Sequence, residues 1–181
     1  MVRIQVRAAL VLAGILATTV APASATASPS VAEPVRCRTS NLAFDWTSGG
    51  SAEPGGRHTE GRQVDVFVSM RNTGAQACVL RGYPAVTLQM GTETEGVVTE
   101  TFSSQTSQQP TAVRLDSGAT ARFTMTFLSA PESDDNVIDP DVVAITPPGN
   151  NEAGELRWWW GPVQQQEAAT HPGNYVSPVF R

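Results

Sequence analysis

Gln63-Val64-Asp65-Val66-Phe67-Val68-Ser69-Met70-Arg71 is the stretch on which the fold turns. Val64, Val66, Val68 and Met70 fall on alternate positions, with Gln63, Asp65, Phe67, Ser69 and Arg71 between them. Side chains of an extended chain point to opposite faces in turn, so this is a strand with one dry and one wet face. A helix would instead space its apolar residues three and four apart. The same period of two recurs on both sides. In 41–46 it groups Leu42, Phe44 and Trp46, and in 84–90 it groups Val86, Leu88 and Met90. In 120–128 it sets Ala121, Phe123, Met125 and Phe127 against Arg122, Thr124 and Thr126.

Weaker alternation marks 96–102, 111–115, 141–146, 155–160 and 175–180 as further strands. Turn residues separate them: a Gly-rich loop from Ser48 to Gly56, then Asn72-Thr73-Gly74, Asp116-Ser117-Gly118 and Pro147-Pro148-Gly149. Asn72-Thr73-Gly74 reads as a tight hairpin turn with Gly74 free to take positive φ. No stretch sustains a 3.6-residue period, and 164–169 amounts to one or two helical turns at most. Frequent turns between about eight or nine short strands predict two packed sheets. The expected fold is all-β, an immunoglobulin-like antiparallel β-sandwich, with a jelly roll as the other two-sheet solution.

Residues 1–25 read as a secretory signal peptide. Arg3 and Arg7 supply its positive start, and Ala8 to Val20 is an uncharged run of 13 residues. That run is too short for a hydrocarbon core of ~30 Å, and Ala23-Ser24-Ala25 places the cleavage after Ala25. The alternative is an uncleaved anchor. A lipoprotein would need its cysteine directly after the apolar run, whereas Cys37 lies well downstream and follows Arg36. Residues 26–34, rich in Ala, Ser and Pro, form a disordered leader, and 35–181 form one domain. The expected location is secreted or cell-wall associated, with no membrane span after cleavage.

The chain has 181 residues, with 12 Arg, no Lys and 17 Asp plus Glu. Losing the two signal-peptide arginines takes the formal charge from −5 to about −7. An acidic surface argues against nucleic acid and anionic headgroups as partners. Without lysine there is neither Schiff-base chemistry nor a P-loop, and two Cys with two His cannot build a zinc ribbon or an iron–sulfur site. No cofactor is expected. Arg, Ala and Gly in the absence of Lys suggest a GC-rich genome.

Cys37 and Cys78 allow a single intramolecular bridge, and export puts them in an oxidising compartment. Closing a loop of about 42 residues stabilises a fold by roughly 4 kcal/mol in the chain-entropy picture. A catalytic thiol is the alternative, but no His neighbours either Cys in sequence.

Asn72-Thr73-Gly74, followed by Cys78-x-Leu80-x-Gly82-Tyr83-Pro84-x-Val86-x-Leu88, resembles the core motif of an exported actinobacterial family called domain of unknown function 4232. Cys37 before Leu42, Leu115-Asp116-Ser117-Gly118-Ala119, Pro147-Pro148-Gly149 and Val176-Ser177-Pro178-Val179 resemble its other elements, over about 35–181. The resemblance implies an exported or lipid-anchored β-sandwich without an assigned activity, and it supports the Cys37–Cys78 bridge. It carries over no functional residue. Members commonly have a second Cys pair in the C-terminal half, which is missing here.

Three features could carry function. Gly82-Tyr83-Pro84 reads as a structural corner: Gly82 admits a conformation closed to other residues, Tyr83 buries its ring and bonds backbone, and Pro84 opens a strand. Trp158-Trp159-Trp160 is a possible ligand or partner platform. In a strand at least one of these indoles faces outward, while the bland alternative is core filling. Glu132-Ser133-Asp134-Asp135-Asn136, with Asp139 and Asp141, is an acidic loop that could hold calcium but lacks EF-hand spacing. His58 and His171 have no nucleophile beside them, and no hydrolase or zinc-protease motif is present. Carboxylate pairs such as Glu93 and Glu95 leave glycan hydrolysis open. The reading adopted is an exported non-enzymatic binding or structural module for an envelope protein or glycan. An envelope glycan hydrolase is the alternative, and a secreted inhibitor or toxin-like factor a third.

Overall fold

A computed structural model describes residues 35–53, 61–91, 96–166 and 173–181. The signal peptide 1–25 and the leader 26–34 lie outside these residues. A single 3-10 turn spans Thr39–Asn41. The remaining regular structure among the described residues is extended. In chain order the strands are β1 Leu42–Thr47, β2 Gln63–Asn72, β3 Cys78–Leu80, β4 Ala85–Met90, β5 Val98–Thr101, β6 Ser103–Ser104 and β7 Val113–Leu115. They continue with β8 Thr120–Leu128, β9 Val137–Ile138, β10 Val142–Thr146, β11 Gly154–Arg157, β12 Val163–Gln164 and β13 Tyr175–Val176.

One sheet runs β1-β2-β8-β13-β6 and a second runs β11-β10-β4-β5, with β12-β9 and β3-β7 as two-stranded additions. The long antiparallel β2–β8 pair forms the spine. Its register sets Val64 opposite Phe127, Val66 opposite Met125, Val68 opposite Phe123 and Met70 opposite Ala121. All eight of these side chains are buried. The second sheet answers with Val86 opposite Ile145 and Leu88 opposite Val143, all fully buried. The two dry faces meet in one hydrophobic cluster, so the arrangement is sandwich-like. Each large apolar side chain so buried contributes roughly 1.5–3 kcal/mol relative to exposure. The expectation of purely antiparallel pairing needs correcting: β13 runs parallel to β6, joining Tyr175 to Ser103 and Val176 to Ser104. This pair and the two accessory pairs complicate the strand order beyond a simple immunoglobulin-like scheme.

Cys37 and Cys78 are bonded, 41 residues apart in sequence with their Cα atoms 4.8 Å apart. The backbone on either side is paired too. Cys37 N donates to Val79 O at 3.2 Å, and Val79 N donates to Val35 O at 2.8 Å. Segment 35–37 is thereby laid along β3 and pinned at the start of the sandwich.

Three local expectations change. Asn72-Thr73-Gly74 is not a hairpin turn, because β2 and the following β3 belong to different sheets, and Gly74 is absent from the positive-φ glycines. Asn72 is buried instead. Its Oδ1 accepts from Gly74 N at 2.9 Å, while its Nδ2 donates to Gln76 O at 2.8 Å and Leu115 O at 3.1 Å. One side chain thus does the turning and lets the chain cross between sheets. The strand expected over 155–160 ends at Arg157, and the three tryptophans follow it. Gln164, placed within a possible helical turn, lies in β12 opposite Val137. Strands β3, β9 and β12 have two or three residues each, too few to show a period.

Candidate functional site

The wet face of the five-stranded sheet carries rows of side chains set by register. Asp65 lies opposite Thr126, and Thr126 opposite Tyr175, while Phe67 lies opposite Thr124. Loops rise beside these rows and flank an open groove of about 460 Å³. That volume lies within the roughly 300–1,000 Å³ of small-molecule sites.

Residues Gly49, Gly50 and Ser51 form one wall. Ser51 N donates to Asp65 O at 2.8 Å, and Asp65 N donates to Ser51 Oγ at 2.8 Å. The wall lies against β2 so closely that a Cβ on Gly50 would sit 2.2 Å from Asp65 O. Only glycine fits there. Gln105 and Gln108 form the facing wall. Gln105 N donates to Val176 O at 2.9 Å, and the two side chains bond to each other at 2.8 Å. Phe180 closes one end: its N and O pair with Arg122 O and N at 2.8 Å, and its ring meets Phe67 edge-on at 6.1 Å.

The Gly82-Tyr83-Pro84 corner serves this groove. Gly82 takes φ of +125°, and its carbonyl accepts from Val179 N at 3.0 Å, one residue before Phe180. The half-buried Tyr83 donates its hydroxyl to the carbonyl of Gln108. Pro84 is buried directly before β4. Two of the groove's boundaries therefore hang on one turn.

Among the described lining residues Asp65 is the one carboxylate, and no side chain there is cationic. Asp65 Oδ1 accepts from Thr126 Oγ1 at 2.6 Å, which orients the carboxylate across the floor. Thr124 is held from the side by a two-way link with Ser177, since Ser177 N donates to Thr124 O and Thr124 N donates to Ser177 Oγ, both at 2.9 Å.

The tryptophans divide. Trp158 and Trp160 are buried and stack edge-on with each other and with Trp46 and Phe127. Trp46 Nε1 donates to Arg157 O at 2.9 Å and Trp158 Nε1 to Gly161 O at 2.7 Å, whereas Trp160 Nε1 finds no hydrogen-bond acceptor among the described residues. The three-indole platform thus reduces to Trp159, which is 48% exposed and carries the Arg157 guanidinium 4.5 Å from its ring centre. The other two pack into the core against Trp46 of β1 and Phe127 of β8.

The acidic loop assembles no group of three or more potential metal ligands among the described residues. Asp139 has its carboxyl held above the usual carboxylate range, first by burial of that group and then by the charges of Glu132 and Asp141. Glu100 is a buried carboxylate that accepts from Asn174 Nδ2 at 2.9 Å and Gln166 N at 3.2 Å. Asn174 also donates to Gln164 O and accepts from Leu128 N, so this pair ties β5, β8 and β12 together. His58, His171, Glu93 and Glu95 lie outside the described residues.

The sequence profile described as Domain of unknown function (DUF4232) matches residues 37–177. The chain belongs to that family. No curated protein matches it. The match begins at the first disulfide cysteine and ends at Ser177, so in this family member it takes in both sheets and most of the groove. Sequence reasoning placed Asp65, Phe67, Thr124 and Thr126 on wet faces but did not join them into a site. The one signal was Phe67, an aromatic ring on a face otherwise polar.

Proposed function

We propose that this chain is an exported, non-enzymatic binding module working at or outside the cell envelope, and that the groove on the five-stranded sheet is where it binds. The groove's construction carries the reading: glycines, a corner tyrosine and paired loops all act to hold polar side chains around a space of ligand size. A buried disulfide fits an oxidising compartment. The rival, an envelope glycan hydrolase, requires two carboxylates about 5–10 Å apart across the scissile bond. The described lining offers Asp65 alone, already bonded to Thr126, which favours binding over cleavage.

Thr124→Arg would fill the groove with a long cationic side chain while leaving the sheet's dry face untouched. Retention of the purified protein on cell-wall material from the producing organism should fall sharply for this variant and stay unchanged for Trp159→Ala. Equal retention of the Thr124→Arg variant would overturn the assignment of the groove. Release of new reducing ends from the wall material would favour the hydrolase.

A further inference from the structure

We infer that the groove takes a neutral oligosaccharide, with the Asp65 carboxylate accepting hydrogen bonds from ligand hydroxyls; this rests on the groove being the binding site. The argument begins with what the floor lacks. An extended peptide added to a sheet is held by unpaired backbone at an edge. Here the floor is the middle of a sheet, where β2, β8 and β13 spend their backbone groups on one another. On the floor only side chains remain to meet a ligand.

Those side chains form a mixed set. Asp65 only accepts, the amides of Gln105 and Gln108 both donate and accept, and the hydroxyls of Thr124 and Tyr175 do either. A polyol, whose every hydroxyl both donates and accepts, matches such a set. A hydrocarbon would strand it unpaired. Phe67, half-buried at the groove's end, supplies an apolar surface for the C–H face of a sugar ring. Charge sets the last condition: one carboxylate and no cation among the described lining residues disfavour an anionic ligand.

The test is isothermal titration of the disulfide-intact protein with cellotetraose, chitotetraose, maltotetraose and mannotetraose. Tetragalacturonate and an uncharged octapeptide pool serve as the acidic and peptide arms. At least one neutral tetrasaccharide should bind. Asp65→Asn, which keeps the shape and can keep the Thr126 bond, should weaken it about tenfold. Gln105→Ala should also weaken it, and Trp159→Ala should leave it unchanged, with thermal melts confirming that all variants fold. Binding of none of the four neutral sugars overturns the inference, as does tetragalacturonate binding as well as they do. If sugars fail while the peptide pool binds, or while wall retention still depends on Thr124, the ligand class is wrong and the groove stands. If wall retention is also indifferent to Thr124, both readings fall.

Discussion

Tyr83 donates its hydroxyl to the backbone carbonyl of Gln108, 25 residues further along the chain. That bond links the turn following the disulfide-bearing β3 to a wall of the groove on the opposite sheet. Pinning the chain's start through Cys37–Cys78 and shaping the groove are consequently parts of one structure.

Tyr83→Phe keeps the ring and removes the donor. We expect a loss of about 0.5–1.5 kcal/mol in urea unfolding, with faster amide exchange at Gln105 and Gln108 and weaker wall retention. Unchanged exchange at those two amides would show that the hydroxyl does not hold the wall.

Replacing Cys37 and Cys78 together by Ala removes the cross-link and leaves only the backbone pairing of residues 35–37 with Val79. The expected cost is about 2–5 kcal/mol, read from the urea midpoint under non-reducing conditions. The unaltered protein should show no free thiol until it is reduced, and two titratable thiols in its native state would contradict the bridge.

Trp160→Ala and Trp159→Ala should separate sharply. Trp160 is almost fully buried in the aromatic cluster, so its truncation should cost about 3–5 kcal/mol. Trp159 loses only an exposed ring and its contact with Arg157, about 0.5–1 kcal/mol. Similar costs for the two would contradict the division of the tryptophans between core and surface.

Asp139 gives a pH dependence of known sign. Its carboxyl is held above the ordinary aspartate value of 3.8, so the folded protein binds that proton more tightly than the unfolded chain does. Its contribution to stability is complete below that value and is lost as pH rises through the folded pKa. Asp139→Asn should therefore melt higher than the parent at pH 7, and the difference should vanish near about pH 3. A variant less stable at pH 7 would reverse the sign.

Much of the spine is legible in the sequence. Residues 120–128 coincide with β8, and 63–71 miss β2 by one residue, because a long strand with one dry face repeats its signal four times over. The misreadings share a cause. Asn72-Thr73-Gly74 has hairpin composition, yet its geometry follows from the buried Asn72 side chain reaching Leu115 O, 43 residues distant. The tryptophan run has strand composition, and only packing against the distant Trp46 and Phe127 determines which two indoles go inside.

Alternation of apolar residues along the chain dictated the long strands, their dry faces and the all-β layering, since which face is wet is a local property of an extended backbone. The presence of only two cysteines left a single intramolecular bridge to form, and it does form. The groove was decided at the tertiary level. Its walls come from residues 49–51, 105–108 and 177–180, and its floor from β2, β8 and β13. These segments meet only because strand order and register bring them together, and those depend on packing between distant residues, which no local period encodes.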